Sequence, residues 1–460
     1  MRGHRLLAAL GIMALTLGAG CSARGVVGLE SGFDGEDNPD PSAQPRWVYP
    51  LEGALLARNV GRMNLQWSGG AGNRQFRIRV EGASRSWRLS ADETVCPEGK
   101  CQLRVDDETW REIASAAAGG SVTLTLDAVD VPGGRVARSG RRSVSFSERP
   151  VEGQFFYFGS GNTNEQGALL RAQLTDGSPQ TYLDARSRST GGLCVGCHAV
   201  TRDGCRVSAN TLNPAEFVFG QPETRRLLVS DADDGERQFS TPGAHLASFQ
   251  TWSPDGSRLL TVFDGRLSLR DANGELLTEV DPSLAGPPGE DVVTHPEWSP
   301  DGRWVVLTRL ATGQPKNQDI YHAGDILLMP YADGVFGPAR VLVPHTSGSF
   351  HFYPSFSPDS RWVVFSSGDE PDPFDQVSAR LRLVSVDGGP PVELARATYG
   401  THVTASWPKF APYFEKGRAF IVFSSKLDYG WVVEQATRAT SDPFHPGWPQ
   451  LWAAAVDLGA

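Results

Sequence analysis

Apolar and polar residues alternate with a period of two at several places in the first third of the chain. The clearest runs are Met63-Asn64-Leu65-Gln66-Trp67, Phe76-Arg77-Ile78-Arg79-Val80 and Val122-Thr123-Leu124-Thr125-Leu126. That period sets one face of a strand on a core and the other in water. Beyond residue 150 the pattern changes to short apolar runs, each preceded by turn residues. Gln250-Thr251-Trp252-Ser253-Pro254-Asp255-Gly256, Pro296-Glu297-Trp298-Ser299-Pro300-Asp301-Gly302 and Pro354-Ser355-Phe356-Ser357-Pro358-Asp359-Ser360 lead into Arg258-Leu259-Leu260, Trp304-Val305-Val306 and Trp362-Val363-Val364. A degenerate fourth copy, Pro408-Lys409-Phe410-Ala411-Pro412, is rejoined at Gly417 and leads into Phe420-Ile421-Val422. Helix-periodic stretches are almost absent.

The repeat has a physical meaning. Proline presets φ at the first corner of a turn, and Asp and Gly accept the conformations that follow. The preceding Trp or Phe supplies an apolar anchor between neighbouring sheets. Copies recur every 46 to 58 residues, the spacing of propeller blades. One blade cannot bury both faces alone, so several must pack in a ring. Counting an opening segment from Phe155 to Leu183, the expectation is an all-β chain with a six-bladed, alternatively seven-bladed, β-propeller over 151–460. Residues 46–150 read as a β-sandwich of about seven short strands around a buried tryptophan. Abundant glycine (51) and proline (32) fit many tight turns.

The repeats resemble those of TolB-type propellers, which implies architecture and says nothing of ligand. The stretch from Tyr49-Pro50 through Trp67 resembles fibronectin type III or related bacterial Ig-like modules, which implies a spacer or binding role.

At the N-terminus, Arg2 and Arg5 precede an apolar run, Leu6 to Leu17, and the small residues Gly18-Ala19-Gly20 before Cys21. The run is shorter than the about 20 residues a membrane helix needs, so 1–21 reads as a signal peptide. Its end resembles a bacterial lipobox, with Leu17 four places before the cysteine instead of three. The resemblance implies lipidation of Cys21, a membrane anchor and a cell-envelope location, periplasmic or on the surface of an outer membrane. Residues 22–45, acidic and rich in Gly, Pro and Ser, read as a flexible tether. A net charge of −10 with no basic stripe excludes nucleic acid as the main partner.

One motif carries chemistry. Cys194-Val195-Gly196-Cys197-His198 matches the C-x-x-C-H pattern of c-type haem attachment. Two thiols would add to the haem vinyl groups, and the adjacent imidazole would reach the iron as proximal ligand. Ala199-Val200-Thr201-Arg202-Asp203-Gly204 aligns with the blade repeat, Val200 in the Trp place, so His198 falls where Pro296 and Pro354 sit. His245, His295, His351 and His402 each lie shortly before the aromatic of their own repeat and are candidates for the distal side of the haem. The same three residues are also compatible with a Cys194–Cys197 disulfide, or with a metal site that includes His198. Met329, inside Ile326-Leu327-Leu328-Met329, reads as core.

Cys96 and Cys101 bracket a short turn and are expected to form a disulfide in an oxidising compartment. Cys205 is left over. Asp369, Glu370, Asp372 and Asp375 read as a solvated loop. No nucleophile elbow, zinc-protease or phosphate-loop motif is present. The expectation is therefore an envelope haem c protein in electron transfer or redox and ligand sensing, with an envelope redox partner, and not an enzyme. The alternative is a scaffold that binds protein or glycan through the propeller. A third reading is an envelope oxidoreductase using the haem.

Overall fold

The computed structural model describes residues 32–59, 61, 63–160, 167–173, 179–190, 194–212, 225–238, 246–311, 323–371, 376–398, 403–415, 417–427 and 450–459. These fall into two compact units, one over 1–54 and 61–148 and the other over 55–60 and 149–460.

The first unit is a β-sandwich. One sheet orders Arg46–Tyr49, Met63–Ser68 and Lys100–Val105; the other is built on Arg142–Phe146, Ser121–Val129, Gln75–Glu81 and Ser86–Asp92. The alternating run at Phe76, Ile78 and Val80 buries all three side chains. Trp67 is 1% exposed and meets Phe76 of the other sheet edge-on, with ring centroids 5.4 Å apart. A disulfide joins Cys96 and Cys101. One helix, Asp107–Ala116, lies between strands and buries Trp110, Ile113 and Ala114. Asp106 caps it, accepting the Thr109 backbone N–H at 2.8 Å.

Part of the expected tether is folded. Phe33 is 2% exposed and packs with Val129 and Val136, while the Arg77 guanidinium lies 4.7 Å from the centre of its ring. Asp37 and Val136 form a β-bridge. One aromatic side chain and a bridge are enough to pin a segment whose composition is otherwise that of a loose linker.

The second unit is a β-propeller with six antiparallel blades among the described residues. Blade 1 comprises Gln154–Ser160, Gly167–Gln173 and Pro179–Leu183; blade 2 comprises Cys194–Val200, Arg206–Leu212 and Arg225–Asp231. Blade 3 has Phe249–Trp252, Arg258–Phe263, Arg266–Asp271 and Leu276–Glu279. Blade 4 has Val293–Trp298, Trp304–Leu310, Gly324–Ala332 and Arg340–Val343, and blade 5 has Phe350–Phe356, Trp362–Gly368, Arg380–Ser385 and Val392–Glu393. Blade 6 has Ser406–Glu415, Arg418–Ser425 and Gln450–Asp457. Apolar cores lie between neighbouring blades: Leu169, Leu183 and Val207 join blades 1 and 2; Leu227, Trp252 and Leu259 join 2 and 3. Leu260, Trp298 and Leu307 join 3 and 4, and Val306, Phe356 and Phe365 join 4 and 5.

The turn after each inner strand has one construction. In blades 2 to 5 the Thr201, Ser253, Ser299 and Ser357 hydroxyls donate to Asp203, Asp255, Asp301 and Asp359 at 2.5–2.6 Å. Each hydroxyl also accepts, at 2.9 Å, the backbone N–H that opens the next strand, from Arg206, Arg258, Trp304 and Trp362. The fourth turn residue needs positive φ, as at Gly256 (68°) and Gly302 (75°), and Ser360 takes it at 60°. Thr201-Arg202-Asp203-Gly204 therefore builds the same turn without a Trp, Ser or Pro.

Candidate active site

Counting back from the anchor of each repeat (Val200, Trp252, Trp298, Phe356, Phe410), the third residue before it is Cys197, Phe249, His295, Tyr353 and Trp407. In four of the five blades the strand register slips there: between Gly196 and His198, Thr294 and Glu297, Phe352 and Ser355, and Ser406 and Lys409. The slip is a bulge with left-handed backbone at Cys197 (23°), His295 (48°), Tyr353 (53°) and Trp407 (53°). Proline follows in three of the four, at a place where a missing N–H costs the ladder nothing. Non-glycine residues in this conformation are strained by about 1–3 kcal/mol each and persist where surrounding packing holds them.

The bulges of blades 4 to 6 turn their rings onto one another and onto Phe249 of blade 3. Tyr353 and Trp407 stack with centroids 3.7 Å apart and planes 16° from parallel. His295 lies 4.5 Å from Tyr353, 5.5 Å from Trp407 and 4.4 Å from Phe249. Phe249, His295 and Tyr353 are no more than 5% exposed, whereas Trp407 keeps 37% of its surface. Burial, assisted by the positive charge of Lys409, holds the His295 imidazole far below its ordinary pKa and hence neutral.

The C-x-x-C-H segment belongs to this inner-strand system. Cys194–Val200 is a strand, Val195 is fully buried, and His198 pairs across the sheet with Ala209, putting both side chains toward blade 1. There His198 Nε2 lies 3.1 Å from the Phe156 carbonyl oxygen. A carbonyl only accepts, so the proton is on Nε2. The imidazole sits deep among protein atoms yet keeps part of its surface open. Burial pushes its pKa down to about 4, against the pull of the Phe156 carbonyl and with the push of Lys409. Cys197, one residue earlier, occupies the bulge, and its carbonyl accepts from Gln250 Nε2 at 2.5 Å.

The haem c expectation is corrected on this geometry. The outer nitrogen of His198, which would reach an iron, is engaged by a backbone carbonyl in the wedge between two blades. Among the described residues no three His, Cys, Asp or Glu side chains are grouped to hold a metal. With the haem go the distal roles of the other histidines. His295 is inside the aromatic cluster. His351 is 3% exposed, with Nε2 3.2 Å from the Pro344 carbonyl and Nδ1 3.0 Å from the Ser367 hydroxyl. His245, His402 and Cys21 lie outside the described residues, as do Asp372 and Asp375. Met329 is fully buried in the core between blades 3 and 4. Glu370 is tied through its backbone to Gln376, at 3.2 and 2.8 Å, as a loop residue.

A second arrangement lies at the same end of blade 4, where the inner strand begins. Arg309 and Asp325 face each other in register on adjacent strands, and on its other side Arg309 pairs with Val293, two residues before His295. Arg309 donates to Asp325 Oδ2 through Nε at 3.0 Å and Nη2 at 2.5 Å. His345 donates to Asp325 Oδ1 through its backbone N–H and through Nδ1, each at 2.7 Å. Burial raises the Asp325 pKa, but the His345 N–H groups and the Arg309 guanidinium outweigh it, and the carboxyl titrates below its ordinary value. A carboxylate that accepts four hydrogen bonds fixes Nδ1 of His345 as the protonated nitrogen and leaves the lone pair on Nε2. The ring stacks on Phe350, centroids 5.9 Å apart, and its side chain is 30% exposed while that of Asp325 is 6%.

The Asp325–His345 dyad and its Arg309 partner are not legible in the sequence, because Asp325 lies 16 residues after Arg309 and 20 before His345, at strand ends and in a turn. The available signal was charge: Arg309 closes Trp304-Val305-Val306-Leu307-Thr308, and Asp325 opens Ile326-Leu327-Leu328-Met329. Charges at the ends of core strands need partners.

No family model matches the chain. It is similar to the uncharacterized peptidase YuxL of Bacillus subtilis (strain 168), 27% identical over a 174-residue alignment that covers 31% of this chain and 25% of that protein. It is also similar to the uncharacterized protein Atu1656 of Agrobacterium fabrum (strain C58), 24% identical over 262 residues, 54% of this chain and 76% of the other. The chain thus spans a quarter of the first relative's length. Among solved structures it is similar to oligogalacturonate lyase of Vibrio parahaemolyticus, at 13% identity and a TM-score of 0.37, over 68% of this chain and 84% of that one. The expectation that the chain is not an enzyme is corrected by the first of these relatives by sequence, which is named as a peptidase.

Proposed function

We propose that this chain is an exported propeller enzyme in which His345 moves the proton that starts bond cleavage. The reading is supported by one observation above all: the 2.7 Å contact between His345 Nδ1 and Asp325 Oδ1, with Arg309 holding the other oxygen. A carboxylate behind an imidazole keeps the ring in one tautomer and stabilises the imidazolium that forms when Nε2 takes a proton. Whether the proton comes from water in a hydrolysis or from carbon in an elimination, the imidazole does the same work. The name of the peptidase relative supports the class, bond cleavage; its match is too short to carry a substrate.

On the same footing we read the repeats as TolB-type, the sandwich as a fibronectin-like spacer, and Cys21 as a lipid anchor in the cell envelope. The test is turnover. The full chain is incubated with panels of peptides and oligosaccharides and products are followed by mass spectrometry. His345→Asn is expected to lower kcat by about 10²–10⁴-fold with an unchanged circular dichroism spectrum. Full activity in that variant would sink the proposal.

A further inference from the structure

We infer that Trp407 is a stacking platform for one sugar ring of a carbohydrate substrate. The inference rests on the reading of this end of the propeller as catalytic. Trp407 is strained at its backbone, backed on one face by Tyr353 at 3.7 Å, and more than a third exposed, while the other rings of its cluster are buried. Packing that fixes an indole in a strained conformation and leaves much of it open fits a surface that receives a ligand.

The surroundings select the ligand's chemistry. Trp407 is flanked in its strand by Ser406 and, two residues on, by Lys409, whose side chain is 57% exposed and paired with Glu297. An aromatic or alkyl group binds best when apolar walls enclose it on several sides. A pyranose needs only one apolar face: its axial C–H bonds rest on the negative face of the indole, and its hydroxyls point outward to polar neighbours. One rigid ring in a polar rim fits the sugar.

Aromatic continuity links the platform to the dyad. His345 stacks on Phe350, Phe350 packs with the cluster that contains Phe352 and Tyr353, and Tyr353 carries Trp407.

The experiment measures binding by isothermal titration calorimetry, using the full chain with cello-, xylo-, manno- and galacturonate hexasaccharides and, as the contrast, aromatic tetrapeptides. At least one hexasaccharide is expected to bind. Trp407→Ala should weaken it about tenfold or more, and Trp407→Phe by less; His345→Asn should bind as the parent does while losing turnover. Melting temperatures of both Trp407 variants check that the fold survives. The inference is overturned if no hexasaccharide binds, if only the peptides bind, or if neither Trp407 variant changes affinity. Retained turnover in His345→Asn, with the Trp407 effect intact, would instead overturn the dyad.

Discussion

His351 and His198 are each held as a neutral imidazole, with Nε2 donating to a backbone carbonyl and burial lowering the pKa to about 4. In the unfolded chain both titrate near 6.5. As pH falls below that value the unfolded state takes up protons first. The stability these residues provide is complete above about pH 6.5 and drains away toward pH 4. For His351 the slope approaches about 1.4 kcal/mol per pH unit in that window. Thermal melts of the parent should drop in midpoint from pH 7 to 4.5, and His351→Gln, which has no proton to gain, should show a shallower drop. Equal slopes would rule out His351 as a contributor. The same scale explains what the sequence hid. Cys194-Val195-Gly196-Cys197-His198 is a five-letter pattern, but attachment of a porphyrin is a matter of direction, and a bulge at Cys197 sends consecutive side chains different ways. Asp325 and His345 meet only because two strands and a turn bring them together, which no spacing announces.

At the level of strands and turns, far more was legible. Ser-Pro-Asp-Gly turns and the apolar runs behind them mark the blades because hydroxyl, carboxylate and positive-φ glycine are each required by the turn itself. The bulges were not legible, since the third residue before the anchor varies from Cys to Trp and only the following proline hints at them. The helix Asp107–Ala116 escaped because three buried positions make too short a helical pattern among strands. A repeated latch also emerges one residue before three of the anchors, in blades 3 to 5. Thr251, Glu297 and Ser355 accept the backbone N–H of Trp298, Phe356 and Phe410 in the next blade, at 3.1, 2.8 and 3.3 Å. Glu297 additionally accepts the Ser355 hydroxyl at 2.7 Å and pairs with Lys409. Truncating it strips partners from a part-buried N–H, a hydroxyl and an ammonium. Glu297→Ala should cost about 2–3 kcal/mol in urea unfolding, with Glu297→Gln losing less. A cost below a few tenths would demote the latch to ornament.

Across the molecule, two units with separate cores predict two unfolding transitions in calorimetry. The sandwich transition should shift down under a reductant that opens Cys96–Cys101, which lies in that unit, and the propeller transition should stay in place. A single transition that moves as one would contradict that independence. In every latch the accepting side chain belongs to the blade nearer the N-terminus and the donated N–H to the blade that follows. A ribosome delivers the acceptor first. Each of blades 4 to 6, as it is made, thus meets a waiting receptor on its predecessor, and these contacts give assembly a direction, so a chain cut short after blade 3, 4 or 5 ends with one such acceptor unanswered on its last member.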